Sequence, residues 1–367
     1  MQETQFYSLE ISSVLKETDE AICVELSIPE KLKEVFNFNQ GQFLTLKENI
    51  NGEEFRRPYS ICSGTHEAHL RLGIKRVKNG LFSNHAHNTF KKGYSILSTP
   101  PQGNFFTELD KNNKKHYLFI AVGSGITPAI SNIKTILNEE KNSRVSLLYG
   151  NKNTQSTIFL EELSFIKNKH MTRFMWVNIM TNEDQGSDIL NGVIDNKKGA
   201  EIHRKNLVNI ASSDEIFICG PGEMVQEVSK GLKSMGFDEK HIHYELFTSP
   251  SESLPSSSLN NQPNDTSQYK TLEKPCEVTI VIDGRSNTFG LNETGNNILE
   301  AGINSGLNLP YSCKAGICAS CIAKITKGKA NMGKNHILTE QQVKEGYILT
   351  CQAHPAEKET TIDFDQR

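Results

Sequence analysis

Four of the eight cysteines fall in one pattern, Cys313-x4-Cys318-x2-Cys321, followed after a 29-residue gap by Cys351. In a reducing compartment clustered thiolates point to metal, whereas paired thiols in an oxidising one would point to disulfides. The C-x4-C-x2-C…C spacing is one that holds a [2Fe–2S] cluster. Three thiolates wrap one side of a small inorganic core from a single loop, and a remote fourth closes it. Ala315, Gly316, Ala319 and Ser320 are small enough to let backbone N–H groups reach sulfur. Zinc is the competing occupant of four cysteines, but structural zinc sites usually pair two C-x2-C knuckles, and only one close pair is present. Cys23, Cys62, Cys219 and Cys276 are scattered.

Three other stretches carry chemistry. Arg57-Pro58-Tyr59-Ser60 combines a guanidinium fork suited to a diphosphate with an aromatic face able to cover a planar ring. By itself the tetrapeptide also suits an ordinary strand surface. Gly123-Ser124-Gly125-Ile126-Thr127-Pro128 lies between an apolar strand and a helix. A dinucleotide turn needs that setting for tight bending, close approach of the backbone to pyrophosphate and a helix dipole behind it. The pattern is G-x-G-x-x-P, not G-x-G-x-x-G, and a plain glycine-rich turn remains open. Ile218-Cys219-Gly220-Pro221-Gly222 follows another apolar run; a cysteine there otherwise serves as small packing.

Positioning these residues requires several kinds of element. From Phe6 to about Glu108 apolar residues alternate with period two, as in Ile22, Val24, Leu26 and Ile28, with turns at Asn51-Gly52 and Asn79-Gly80. That predicts an antiparallel sheet or small β-barrel. From Tyr117 continuous apolar runs (117–122, 145–149, 174–180, 215–219) alternate with helical stretches at about 129–137 and 159–166. Strands alternating with helices predict a parallel α/β sheet. Residues 248–274 are rich in Ser, Pro and Asn and too poor in apolar surface to offset ordering entropy. They are expected to be a flexible linker, with a root-mean-square span of about 28 Å. From Cys276 a compact α+β unit begins with alternating Val278, Ile280 and Ile282. The expected division is 1–108, 109–247, 248–274 and 275–367.

The 367 residues exceed one ordinary core. Lys plus Arg total 40 against Asp plus Glu 43, so no basic field is available for nucleic acid or an anionic membrane. The start, MQETQFYSLE, has no secretory pattern, and no run approaches the roughly 18 apolar residues of a membrane span. A cytoplasmic location is expected.

With these residues assembled, the chain resembles the ferredoxin–NADP reductase superfamily carrying a C-terminal plant-type ferredoxin domain of β-grasp fold. The domain order resembles the reductase subunits of ring-1,2-phenylacetyl-CoA epoxidases, and more distantly those of 3-ketosteroid 9α-hydroxylases, notably at RPYSICS (57–63), YGNKNTQSTIFLEEL (149–163), LPYSCKAGICASC (309–321) and LTCQAHP (349–355). The resemblance implies FAD, with Arg57 and Pro58 at the pyrophosphate end, Tyr59 packed on the isoalloxazine and Ser60 near N5. It assigns Gly73, Lys75 and Val77 to a strand bordering the flavin. Gly80, Leu81, Phe82 and Ser83 form a phosphate loop, where Ser83 is expected to help cap the next helix. The nicotinamide coenzyme would meet Gly123, Gly125, Thr127 and Pro128, then Cys219, Gly220 and Pro221, with Cys219 beside the atoms that exchange hydride. Asn151 and Lys152 would face the adenosine end, and Phe247 would support the flavin face. Catalytic roles fall to Tyr59, Ser60 and Cys219.

NADPH is the expected coenzyme and NADH the alternative: Lys152 keeps a charge where relatives often carry Arg, but loses the bidentate fork. A hydride donor gives electrons in pairs and a [2Fe–2S] centre takes one, so a flavin must stand between them. The expected function is therefore an NAD(P)H-dependent electron-transfer reductase. Its expected partner is an oxygenase component, a multisubunit di-iron epoxidase in the leading reading. Rival readings are another acceptor, such as a 3-ketosteroid hydroxylase, a fatty-acid desaturase or a hybrid-cluster protein, or a non-enzymatic redox sensor.

Overall fold

The computed structural model describes residues 5–247, 276–292 and 295–366; the expected linker lies outside them. The chain divides into two compact units, one holding residues 6–248 and the other the C-terminal part.

The first unit opens with antiparallel strands β1 (Tyr7–Thr18), β2 (Ala21–Ser27), β3 (Phe43–Ile50), β4 (Glu53–Ser60) and β5 (Leu70–Lys75), then α1 (Leu81–Thr89) and β6 (Ser95–Ser98). Their order is β4-β3-β6-β1-β2-β5. An Ile61–Leu72 bridge and the Cys62 N–H to Arg71 carbonyl bond (2.8 Å) join β4 to β5 and close the barrel. Asn51 and Gly52 both have positive φ (56° and 88°), the backbone a two-residue hairpin needs to match strand twist. β4 ends at Ser60; the next residue, Ile61, bonds the Gln42 carbonyl (2.8 Å) and bridges Leu72 of β5.

The same unit continues with β7 (His116–Val122), α2 (Ile126–Glu139), β8 (Arg144–Asn151), α3 (Leu160–Lys169), β9 (Phe174–Met180), α4 (Asn196–Arg204), β10 (Glu215–Gly220), α5 (Gly222–Ser234) and β11 (Ile242–Leu246). The five strands are parallel, in the order β11-β10-β7-β8-β9. After β9 the chain returns to the other side of β7, so the switch point falls between β7 and β10. Ligands of open parallel sheets bind at that crevice. Helix α2 starts at Ile126, earlier than the expected 129. Thr127 and Pro128 fit its first turn, where a proline forfeits no hydrogen bond. Phe159, expected within α3, precedes it in a left-handed conformation (φ 60°).

Barrel and sheet share one core: Ala21, Cys23, Cys62 and Phe105 pack with Phe119, Ile126, Phe159, Phe217 and Cys219. A charge network crosses the same junction. The Lys134 ammonium lies 3.0 Å from Glu67 and 2.9 Å from Glu162, and Arg71 lies 2.7 Å from Glu162. With its side chain only 5% exposed, Lys134 depends on both carboxylates.

The C-terminal unit holds β12 (Cys276–Ile282), β13 (Arg285–Leu291), α6 (Ile298–Asn304), β14 (Ile322–Lys327), β15 (Ala330–Met332), α7 (Glu340–Lys344), β16 (Tyr347–Leu349), β17 (Ala353–Pro355) and β18 (Glu359–Asp363). A mixed sheet β13-β12-β18-β14-β16, with β12 and β18 parallel, packs Val278, Ile280 and Ile362 against Ile298 and Leu299 of α6. This is the expected α+β ferredoxin-like domain.

Candidate functional site

On β4, Tyr59 pairs with Leu44 and Ser60 with Phe43. The Tyr59 ring lies 5.6 Å from that of buried Phe82 in α1, so the strand and helix expected to border the flavin are brought together. Burial pushes the Tyr59 hydroxyl pKa up, and the phenol stays neutral. The Arg57 guanidinium bonds the Arg56 carbonyl (2.7 Å), and among the described residues no carboxylate pairs with it. A half-buried cation without a counter-ion suits a diphosphate. Pro58 lies next to it on the strand, opposite Thr45.

The expectation for Ser83 needs correction. The N-cap of α1 is Gly80, and no side chain caps it. The Ser83 hydroxyl instead accepts from the Val77 N–H (3.0 Å), and the Asn84 amide donates to the Val77 and Gly80 carbonyls (2.9 and 2.7 Å). Ser83 and Asn84 thus shape the loop from behind, and no side-chain cap takes up the first-turn N–H groups, the arrangement an anion requires. Leu81, at the first helical position, is 56% exposed.

The two glycine-rich turns meet at the switch point. A Cβ on Gly125 would lie 2.5 Å from the carbonyl carbon of Cys219, and one on Gly220 3.1 Å from Val122 Cβ. Glycine is the residue that lets these backbones pack. A Cβ on Gly73 of β5 would lie 2.5 Å from Thr127 and 3.2 Å from Phe159, so the barrel strand abuts the glycine-rich turn over 123–128. Lys75 brings its ammonium beside Gly123, 3.6 Å from where a Cβ would sit, and 3.9 Å from Glu20. Burial lowers the Lys75 pKa, Glu20 opposes and Lys152 reinforces it, which places two cations at this crevice. Pro128 continues the turn into α2, and its carbonyl accepts from Asn132 (3.1 Å). Pro221 is the N-cap of α5. The Phe247 N–H donates to the Gly220 carbonyl (3.0 Å), fixing that aromatic at the end of β10.

Cys219 is 1% exposed. Burial, then Glu245, push its thiol pKa well up, so it is a neutral group and not a nucleophile. Lys152 is exposed, and Asn151 is buried with its amide beside the Tyr149 hydroxyl. That hydroxyl was missed by sequence reasoning: fully buried Tyr149 donates to the Gly123 carbonyl (3.0 Å) and fixes the first residue of the turn. A buried tyrosine at the end of the strand next to a glycine motif was the available signal.

In the C-terminal unit the cysteines fall into two hydrogen-bonded pairs, Cys313 with Cys318 and Cys321 with Cys351. The Cys318 partner lowers the Cys313 thiol to about 7, and the Cys321 partner lowers Cys351. Cys318 and Cys321 are correspondingly raised. Ala315 N–H reaches Cys313 Sγ (3.3 Å), and the Gly316 backbone bonds Cys351. Lys314, Gly316 and Ala319 all have positive φ (52°, 75° and 52°), which turns these N–H groups inward. Two thiol pairs suit a two-iron cluster, one pair per iron. Among the described residues no three such side chains converge as a site for one ion.

Barrel, nucleotide sheet and cysteine-bearing α+β unit define a flavin- and iron–sulfur-dependent NAD(P)H oxidoreductase. The sequence matches the oxidoreductase FAD-binding domain over residues 9–106, the oxidoreductase NAD-binding domain over 119–230 and the 2Fe-2S iron-sulfur cluster binding domain over 280–356. It is 36% identical to one of the subunits of 1,2-phenylacetyl-CoA epoxidase of Escherichia coli (strain K12), over 99% of both chains. It is 30% identical to the ferredoxin reductase component of 3-ketosteroid-9-alpha-monooxygenase of Mycobacterium tuberculosis, over 98% of this chain and 96% of that one. Phthalate dioxygenase reductase shares the fold, with a TM-score of 0.60 at 21% identity and 98% of each chain covered. The chain belongs to the family of three-module reductases that includes this component of the phenylacetyl-CoA epoxidase. Among the described residues no helix is long and apolar enough to cross a membrane.

Proposed function

We propose that the chain passes electrons from NADPH, or NADH as the alternative, through FAD and [2Fe–2S] to an oxygenase component, a multisubunit di-iron epoxidase acting on phenylacetyl-CoA. The observation that carries this reading is the 36% identity to the epoxidase component over nearly the full length of both chains. Bound FAD supplies the conversion from a two-electron donor to a one-electron outlet. Arg57 and the uncapped first turn of α1 (Gly80, Leu81, Phe82, Ser83) hold its pyrophosphate. Tyr59, Ser60, Gly73 and Val77 border its ring, and Phe247 supports one face. Gly123, Gly125, Thr127, Pro128, Gly220 and Pro221 seat the coenzyme, with Lys75 and Lys152 supplying charge and Asn151 shaping the adenosine end. Cys219 packs beside the reacting atoms as a neutral, water-excluding wall. Cys313, Cys318, Cys321 and Cys351 hold the cluster.

The matched ranges support module boundaries near 108, 247 and 275. A cytoplasmic location fits four thiols kept for metal. The test is reconstitution: the chain loaded with FAD, iron and sulfide, NADPH, and the oxygenase part of the epoxidase should consume phenylacetyl-CoA. Turnover only with a 3-ketosteroid hydroxylase would transfer the assignment to that acceptor, which the 30% identity keeps in second place.

A further inference from the structure

The cysteine end of the C-terminal unit is built from three segments, residues 309–322, 332–338 and 349–356. Hydrogen bonds stitch them into one surface: His336 N–H to the Gly316 carbonyl (3.2 Å), Gly333 N–H to the Gln352 carbonyl (2.8 Å) and the Gln352 amide to the Lys314 carbonyl (3.0 Å). A Cβ on Gly316 would lie 3.0 Å from the Lys334 carbonyl oxygen, so the second lysine borders the same loop. No Asp or Glu occurs in any of the three segments. Lys314 and Lys334 are exposed, and among the described residues neither has a carboxylate partner. The Lys314 ammonium sits over the Tyr311 ring at 4.8 Å, which limits its excursions. Partly exposed Ile317 and Ile322 supply apolar contact beside the ligands.

Elsewhere in the unit Lys327 pairs with Glu359 and Lys329 with Glu357 at 3.2 Å, and Lys324 lies over the Tyr347 ring at 5.3 Å. Residues 276–367 hold 9 Lys plus Arg and 10 Asp plus Glu, close to neutral as a whole. Lys314 and Lys334 are thus exposed cations beside the ligands, in segments that hold no carboxylate of their own. Unpaired like charges around an apolar centre steer and orient a partner of opposite sign.

We infer that this face is a basic docking surface that recognises a carboxylate-rich patch on the protein receiving the electrons. The inference rests on the proposed electron-transfer function and names the chemistry of its partner. The test uses the full chain carrying FAD and cluster, with two haem proteins as probes, acidic cytochrome b5 and basic cytochrome c. Binding of the oxidised chain to immobilised cytochrome b5, and the bimolecular rate of its reduction after NADPH addition, should both fall about tenfold as salt rises from about 20 to about 200 mM. The Lys314→Glu/Lys334→Glu double variant, with its cluster absorbance intact, should bind cytochrome b5 about tenfold more weakly at low salt and reduce cytochrome c faster. Salt-independent binding, or a double variant indistinguishable from the parent, would overturn the inference. So would a variant slowed only in reduction of its own cluster, since the surface would then serve this chain's flavin unit. Failure of NADPH to reduce the cluster at all would strike the functional reading instead, while oxidised-state binding still decides the surface.

Discussion

Gly125→Ala is the sharpest probe of the proposed nicotinamide crevice. The added methyl would lie 2.5 Å from the Cys219 carbonyl carbon and 3.0 Å from the Gly220 nitrogen. Carbon atoms pack comfortably at about 3.5–4.0 Å, so the two turns must separate by roughly 1 Å. Neither neighbour is a flexible side-chain end; both are backbone, held by the pairing of Cys219 with Ala121 and Glu245. Overpacking of this kind costs about 1–3 kcal/mol, which a unit with so large a shared core should survive. Catalysis should suffer more, because a displacement of about 1 Å at a hydride-transfer site lowers the rate on the order of a hundredfold. Stopped-flow bleaching of the flavin on mixing with NADPH measures that step, and cluster absorbance reports the integrity of the other unit. Flavin reduction within about twofold of the parent, with thermal stability also unchanged, would refute the argument that these turns meet to seat the coenzyme.

Tyr149→Phe removes the hydroxyl that holds the Gly123 carbonyl; at about 1 kcal/mol for such a bond, the KM for NADPH in steady-state ferricyanide reduction should rise about fivefold. Cys318→Ser should abolish the visible absorption of the cluster while leaving NAD(P)H-to-ferricyanide activity, and loss of both in a folded protein would contradict the serial scheme. Burial raises the Glu215 pKa, but hydrogen bonds from His243 and Lys115 outweigh it and hold the group at about 2. Its folded pKa being depressed, the stability it contributes is present above about pH 4.5 and is lost as pH falls towards 2. Glu215→Gln should therefore lower stability to urea by on the order of 2 kcal/mol at pH 7. The difference from the parent should shrink as pH falls from about 4.5 towards 2.

The features visible in the sequence are those imposed by local backbone demands. A loop that aims N–H groups at sulfur needs small residues at fixed spacing, and two backbones that touch need glycine, so residues 313–321, 123–125 and 219–222 announce themselves. Continuous apolar runs mark the parallel strands because both faces of β7, β8 and β10 are buried. The start of α2 is harder to place, since Pro128 resembles a break until a first turn accommodates it. Ser83 looks like a cap by residue type alone, but its hydroxyl turns to the Val77 N–H. Partnerships between distant residues leave no local trace. Nothing in the spacing shows that Cys321 pairs with Cys351 and not with Cys318 three residues away. The network of Glu67, Arg71, Lys134 and Glu162 likewise exists only once α2 and α3 pack against the barrel.

That network has a consequence for dissecting the molecule. A fragment ending near residue 108 would strand Arg71 and Glu67 without Lys134 and Glu162, and would bare Ala21, Cys23, Cys62 and Phe105 to water. The sequence families draw a border there, but the physical chemistry does not. Anyone grafting this hydride-accepting half onto a new redox outlet should carry residues 6–247 as one cassette and make the cut beyond Phe247.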